Sequence, residues 1–334
     1  MISFASWSVL TVDFLIVLHL SLAGVALAAL LHLVNARWRF DIRYISVAFF
    51  SLYPLAFVLL LVLLFGGSMT FPWVGSFEKL PRWNNLPFLA TREILALILM
   101  GLLYGSFIKL QRVSDESAEN MSRFKTVAAI VPFAHVLYVS LVSWDFEMTL
   151  LPNWESSMYA INHIVSVSGM YLSMLVLLLF LLDKTASFIN PPKAYVYNYL
   201  AQMMLGFTIL WIYTFFAQYL IIWYANFSDE TERIWRMQDG PYGGLFWTFF
   251  ALKFVVPFPI LAIRFSRHNP NVIAAVAISI VLGTWIERYT WISGTYPSSH
   301  MPMSSLFDIG VTILVFGAAV AILRAKLRRG LLIR

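Results

Sequence analysis

Ten side chains that can carry charge fall within or at the ends of long apolar runs: Asp13, His19, Glu93, His135, Asp145, His163, Lys253, Glu287, Arg288 and Asp308. A charge at the centre of a bilayer costs roughly 2.5–3.5 kcal/mol on insertion scales, so each of these groups needs a partner or a task. Imidazole and carboxylate exchange protons near neutral pH, and a set of them at one depth can pass protons or hold a quinol. In the fourth run Tyr138 and Asp145 are seven residues apart and share a helix face, with His135 about 60° around the axis. In the fifth run His163 and Ser166 share a face, and Glu287 and Arg288 lie late in the eighth. His135, Tyr138, Asp145, His163, Glu287 and Arg288 are therefore the candidate proton path. Asp13, His19, His135 and His163 are the candidates for a quinol pocket. Each also has a plainer reading. Asp145 and Asp308 can end helices among headgroups, Glu287 and Arg288 can neutralise each other, and a lone helical histidine can simply be packed.

The runs that must position these groups dominate the chain. Of 334 residues, 60% are hydrophobic and only 12% are charged. A soluble domain so composed would lack the polar surface to face water. Nine apolar runs, at 8–35, 43–67, 88–109, 122–144, 157–183, 196–226, 243–265, 271–293 and 304–326, are long enough to cross a hydrocarbon core roughly 30 Å thick. Backbone polar groups in lipid must be satisfied internally, so the runs predict an all-α, polytopic bundle of about nine transmembrane helices. It forms a single integral membrane domain over residues 1–334. The first run is too long for a signal peptide, contains Asp13 and His19, and follows no basic segment, so it reads as a retained helix. The sequence has no cysteine, which excludes disulfides, Cys-ligated zinc and iron–sulfur clusters within this chain.

Lysine and arginine orient the bundle. With the N-terminus outside, the inner loops and C-terminal tail collect Arg37, Arg39, Arg43, Lys109, Arg112, Arg123, Lys125, Lys184, Lys193, Arg264, Arg267, Arg324, Lys326, Arg328, Arg329 and Arg334. The outer loops and the helix interiors keep Lys79, Arg82, Arg92, Arg233, Arg236, Lys253 and Arg288. The expected arrangement is an N-terminus outside and a C-terminus inside, on the cytoplasmic side. It puts nearly all the buried ionisable groups in the outer half, with His32 as the main exception. It also puts "SWDFEMTLLPNW" (143–154), with two acids, two tryptophans and no base, on the outer face. Trp38, Trp73, Trp83, Trp144, Trp154, Trp223 and Trp235 fall near expected interfaces, where amphipathic rings settle. "GLLYG" (101–105) has the small-residue spacing of close helix packing.

Two other chemistries are weighed against these residues. His19 and His32 have the spacing of a di-haem cytochrome helix, but no second helix carries a matching pair. A single haem between two of His19, His135 and His163 stays open. A secondary transporter would favour an internal repeat and midplane charges; the sequence shows no convincing repeat and its charges gather on one side.

"SWDFEMTLLPNWESSMY" (143–159) resembles a Ser-x-Asp-x-x-Met-x-x-x-Pro-x-Trp-x-Ser segment of ActF-type subunits of bacterial alternative complex III, in the NrfD/polysulfide-reductase membrane-subunit family. The matching residues are Ser143, Asp145, Met148, Pro152, Trp154 and Ser156. "FFAQYLIIWYANFSDETERIW" (215–235) is similar to a second segment of that subunit through Gln218, Leu220, Ile222, Trp223, Asn226 and Glu230. Ser228 and Asp229 stand where the family pattern has Pro and Glu, and nine spans stand where ten are expected, which leaves the ActF and ActC types open. The resemblance implies a cofactor-free membrane subunit of a quinol-oxidising respiratory or photosynthetic electron-transfer complex, with a role in proton translocation. Its partners would be a paralogous NrfD-type membrane subunit, periplasmic subunits carrying iron–sulfur clusters and haem c, and membrane lipids. Asp145, Glu147, Trp154, Glu230 and Glu232 would then lie where the periplasmic subunits dock. The alternative within the same family is that this chain forms the quinol pocket itself.

Overall fold

A computed structural model describes residues 3–75, 79–189, 191–225, 228–296, 299–330 and 333. Among them the regular structure is helical, and nine helices are long and apolar enough to cross a membrane. They are α1 (Phe4–Leu33), α2 (Arg39–Met69), α3 (Leu86–Val113), α4 (Ala118–Leu150), α5 (Tyr159–Lys184), α6 (Tyr195–Ala225), α7 (Gly243–Ala262), α8 (Pro270–Ser293) and α9 (Leu306–Arg329). The nine predicted runs correspond to them one for one. Asn226, used in the resemblance above, lies outside the described residues.

Helix α1 is the axle. Almost all of its apolar window is buried, and it packs against α2, α3, α4, α5, α8 and α9. This explains how a helix apolar on every side can also hold Asp13 and His19: no face of it has to meet lipid. Asp13 accepts from Trp285 Nε1 of α8 (2.8 Å) and Thr312 Oγ1 of α9 (2.9 Å). Close approach to α2 depends on Gly24, where a Cβ would lie 2.1 Å from the Ser46 carbonyl oxygen. Ser46 Oγ closes the seam by donating to the Gly24 carbonyl (2.7 Å) and sits 2.8 Å from the Tyr171 hydroxyl of α5. Helices α4 and α5 are neighbours, as are α5 and α8, so the start of α5 and the end of α8 meet at one depth.

Three spans are locally irregular, each for a readable reason. In α2 a 3₁₀ turn (Phe49–Leu52) precedes Pro54, and α4 carries Pro132 in its interior. Helix α7 contains a π segment (Ala251–Val255) directly before Pro257. A proline ring crowds the carbonyl four residues earlier, here that of Lys253, and widening the helix to i→i+5 bonding relieves the clash. The Val256 N–H accordingly bonds the Ala251 carbonyl at 2.9 Å.

The short helix Ser228–Gln238 lies between α6 and α7, on the face that bears the N-terminus. From it Arg233 reaches into the bundle and donates to the backbone carbonyls of Glu147 (2.9 Å), Met148 (3.1 Å) and Trp291 (2.9 Å). Its guanidinium stacks 4.3 Å from the Trp154 ring. Burial pushes its pKa down to about 10, so it stays cationic at neutral pH. Trp154 Nε1 donates to the Glu230 carbonyl at 3.1 Å. The two segments quoted for the family resemblance are thus in contact.

Candidate functional site

A continuous row of buried ionisable side chains crosses the bundle, drawn from five spans. It begins at Lys253, which leaves the π segment of α7. Gly283 on α8 makes room for it: a Cβ there would lie 2.7 Å from Lys253 Cγ. Lys253 Nζ donates to Ser166 Oγ (2.6 Å) and to Glu287, and lies 4.6 Å from the Trp211 ring centroid. Glu287 also accepts from Ser166 Oγ (2.6 Å) and from Trp211 Nε1 of α6 (2.9 Å). Arg288 is in ion-pair contact with Glu287 (2.8 Å) and with Glu147 at the end of α4 (2.7 Å). Glu147 accepts from the Tyr159 hydroxyl (2.7 Å) and faces His163 Nδ1 (2.7 Å). His163 Nε2 meets His19 Nε2 of α1 at 2.9 Å.

Two cations and two carboxylates make this row neutral while both imidazoles are neutral. That balance, with dense hydrogen bonding, is what makes such a set tolerable in a low-dielectric interior. Arg288 Nη1 also lies 2.7 Å from His163 Nδ1. Arg288 can only donate, so His163 Nδ1 either accepts from Arg288 or donates to Glu147 Oε2. In the second tautomer His163 Nε2 accepts, and His19 Nε2 carries the hydrogen.

Both ends of the His19–His163–Glu147 segment are open. His19 Nδ1 and Glu147 Oε1 are buried and have no hydrogen-bond partner among the described residues. A proton added to His19 Nδ1 would release the Nε2 proton to His163 Nε2. His163 would in turn release its Nδ1 proton to Glu147, and every atom in the sequence is already at hydrogen-bond distance. Beyond Glu147, a cavity of about 560 Å³ on the N-terminal face is lined by Met148, Thr149, Trp83, Trp144, Trp154 and Glu155. Near the other end, a cleft of about 70 Å³ is lined by Ala23, Ala26, Leu27 and Leu30 of α1, one to three turns beyond His19, and by His135.

The six residues of the predicted proton path fall into three places. His163, Glu287 and Arg288 belong to the row. Tyr138 and Asp145 belong to a second cluster, where Asp145 accepts from Arg92 and from Trp83 Nε1 (2.8 Å), and Tyr138 donates to Glu93 (3.3 Å). His135 bonds the Tyr104 hydroxyl through Nδ1 (2.8 Å). The helical wheel places His135, Tyr138 and Asp145 on one side of α4 but cannot show that this side meets α3, while Glu147, one residue past the regular α-helical part of α4, which ends at Phe146, swings toward α5 and α8. Of the quinol candidates, His19 and His163 face each other. Their bonded nitrogens lie closer than the roughly 4 Å that separates two trans metal-ligating nitrogens at about 2.0–2.1 Å each. Asp13 is occupied by Trp285 and Thr312.

Of the expected docking residues, Asp145, Glu147 and Trp154 are fully buried and bonded within the chain, Glu230 is half-buried, and Glu232 is exposed. The acids of "SWDFEMTLLPNW" therefore point into the bundle, Asp145 toward the part-buried Arg92 and Glu147 toward the buried Arg288. Trp73 is buried too, whereas Trp223 and Trp235 are exposed, as interfacial rings would be. Sequence reasoning counted Lys253 among the buried charges but gave it no role, and it put Glu147 at the surface. The Lys253–Glu287 and Arg288–Glu147 pairings could be anticipated only from charge balance. No protein-family model matches the chain, and a comparison with curated proteins finds no match.

Neutrality of the row bears directly on stability. Lys253→Met leaves Glu287 short of a cation and is expected to cost about 3–5 kcal/mol. Lys253→Met combined with Glu287→Gln removes one charge of each sign, leaves Arg288 with Glu147, and should recover at least half of that loss. Unfolding midpoints in detergent measure both; a double variant no more stable than the single one would contradict the pairing.

Proposed function

We propose that this chain is a cofactor-free, proton-handling membrane subunit of a quinol-oxidising electron-transfer complex of the alternative complex III type. One observation carries the proton part: the unbroken donor–acceptor line His19–His163–Glu147, open at both ends and flanked by a charge-balanced Lys253–Glu287–Arg288 group. The electron-transfer part is supported by the two sequence segments that resemble ActF-type subunits, which also touch through Trp154, Glu230 and Arg233. Quinol, iron–sulfur clusters and haem c belong in this reading to the complex, with the redox groups in partner subunits. Glu232 and the neighbouring Trp235 are the surface groups left for those partners.

The reading that this chain holds the quinol itself is less well supported. The cleft at His135 measures about 70 Å³, against roughly 300–1,000 Å³ for pockets that take a small organic ligand, and the cavity of about 560 Å³ on the N-terminal face is lined by none of Asp13, His19, His135 and His163. A secondary transporter has one feature in its favour, the interrupted helix α7 with its lysine in the middle of the bundle.

The lysine and arginine distribution supports a cytoplasmic C-terminus, and the family resemblance adds a bacterial plasma membrane with the N-terminus on the periplasmic side. A reporter fused after Arg334 should behave as cytoplasmic, and a periplasmic reporter would reverse the direction of the relay.

The functional test is a tagged chain purified from its native membrane in mild detergent. Periplasmic haem c and iron–sulfur subunits and a second polytopic subunit should co-purify. In that complex His163→Phe should assemble and slow proton release during quinol oxidation by about tenfold or more. Asp145→Asn, in the separate cluster, should leave that rate near that of the wild type. Purification without redox partners would reject the electron-transfer reading, and an unchanged rate in His163→Phe would reject the relay.

A further inference from the structure

The face opposite the N-terminus carries a cavity of about 700 Å³ at the ends of α2, α3 and α9. Its floor is apolar: Val47, Ala48 and Phe50 from α2, and Ile108 from α3. Its rim is basic, with Lys109 and Arg112 from α3 and Lys326 and Arg329 from α9, all four exposed. None of the four is in a salt bridge among the described residues. On the same face Asp115 lies beside Arg43 at 3.8 Å and Asp41 accepts from the Tyr195 hydroxyl (2.8 Å). Gln111, only 3% exposed, lines the cavity with its Oε1 unpartnered, and the Ser51 hydroxyl beside it is likewise unpartnered. A second cavity of about 550 Å³ shares Ser51, Arg112, Lys326 and Arg329, and continues along Ile322 and Ala325 of α9.

Basic residues at the last turns of α3 and α9 would offset helix dipoles in any case. Dipoles do not require a cavity between the helices, nor buried amide and hydroxyl groups turned into it. We propose that this is a binding site for an anionic glycerophospholipid. The phosphate would sit among Lys109, Arg112, Lys326 and Arg329. The headgroup hydroxyls would reach Gln111 and Ser51, and an acyl chain would follow Phe50, Ile108 and Ile322. Clustered lysine and arginine between helix ends recognise acidic headgroups in this way. The "GLLYG" motif takes part asymmetrically. Gly101 packs against Tyr53, where a Cβ would lie 2.4 Å from the hydroxyl oxygen, whereas a Cβ on Gly105 would meet nothing within 4 Å. Gly105 therefore keeps the cavity wide and can be enlarged without strain.

Native mass spectrometry of delipidated full-length protein, titrated with phosphatidylglycerol, phosphatidylcholine or inorganic phosphate, tests the site. Phosphatidylglycerol should bind at least about tenfold more tightly than phosphatidylcholine, and Lys326→Ala with Arg329→Ala should lose about tenfold or more of that affinity. Gly105→Phe should stay folded and lose the same binding by filling the cavity. Equal binding of phosphatidylglycerol by the wild type and both variants would overturn the proposal. So would displacement of the lipid by millimolar inorganic phosphate, which would mark the ligand as free phosphate.

Discussion

Charge neutrality inside a low-dielectric bundle is the constraint on which the rest of this structure depends. Lys253, Glu287, Arg288 and Glu147 could not be buried singly at any reasonable cost. They are tolerated because two carboxylates and two cations lie in one row, with Ser166 and Trp211 donating to Glu287 and Tyr159 to Glu147 Oε2, leaving only Glu147 Oε1 of the four carboxylate oxygens without a partner among the described residues. The backbone is arranged around that row. The π segment in α7 aims Lys253, Gly283 admits it, and Arg233 holds the carbonyls of Glu147 and Met148 so that the end of α4 turns inward.

A balanced row of this kind also sets the conditions for its histidines. Arg288 and Glu147 fix the orientation of His163, and His163 fixes that of His19. In the proposed relay a proton would pass along this imidazole pair, entering and leaving through the two buried atoms that have no partner among the described residues, His19 Nδ1 and Glu147 Oε1. The apolar packing of α1, buried on all sides, keeps His19 away from lipid.

Much of the architecture was legible in the sequence. Nine apolar runs gave nine helices because backbone satisfaction in lipid admits little else, and the adjacency of α4 and α5 followed from their short connection. His163, Glu287 and Arg288 were placed in one path from their depth, but together with His135, Tyr138 and Asp145, which pack elsewhere. Glu147 was not. It lies one residue past the regular helix, where periodicity no longer says which way a side chain points, and its inward turn depends on Arg233, 86 positions away along the chain. Lys253 was visible as a buried charge, but its reach to Glu287 depends on the π segment and on Gly283, neither of which leaves a periodic signal. Asp145 went to α3 because Arg92 is there, a pairing that a helical wheel of α4 alone cannot contain.

The central claim is that a proton moves between His19 and His163. Nitrogen-15 magnetic resonance of histidine-labelled protein in lipid bilayers, assigned with His19→Phe and His163→Phe, observes that link directly. The two Nε2 nitrogens are predicted to share one exchanging proton, with shifts between the protonated and unprotonated values that move together as the pH is changed. Two fixed tautomers, insensitive to pH while the protein stays folded, would contradict the relay and leave the row a purely structural device.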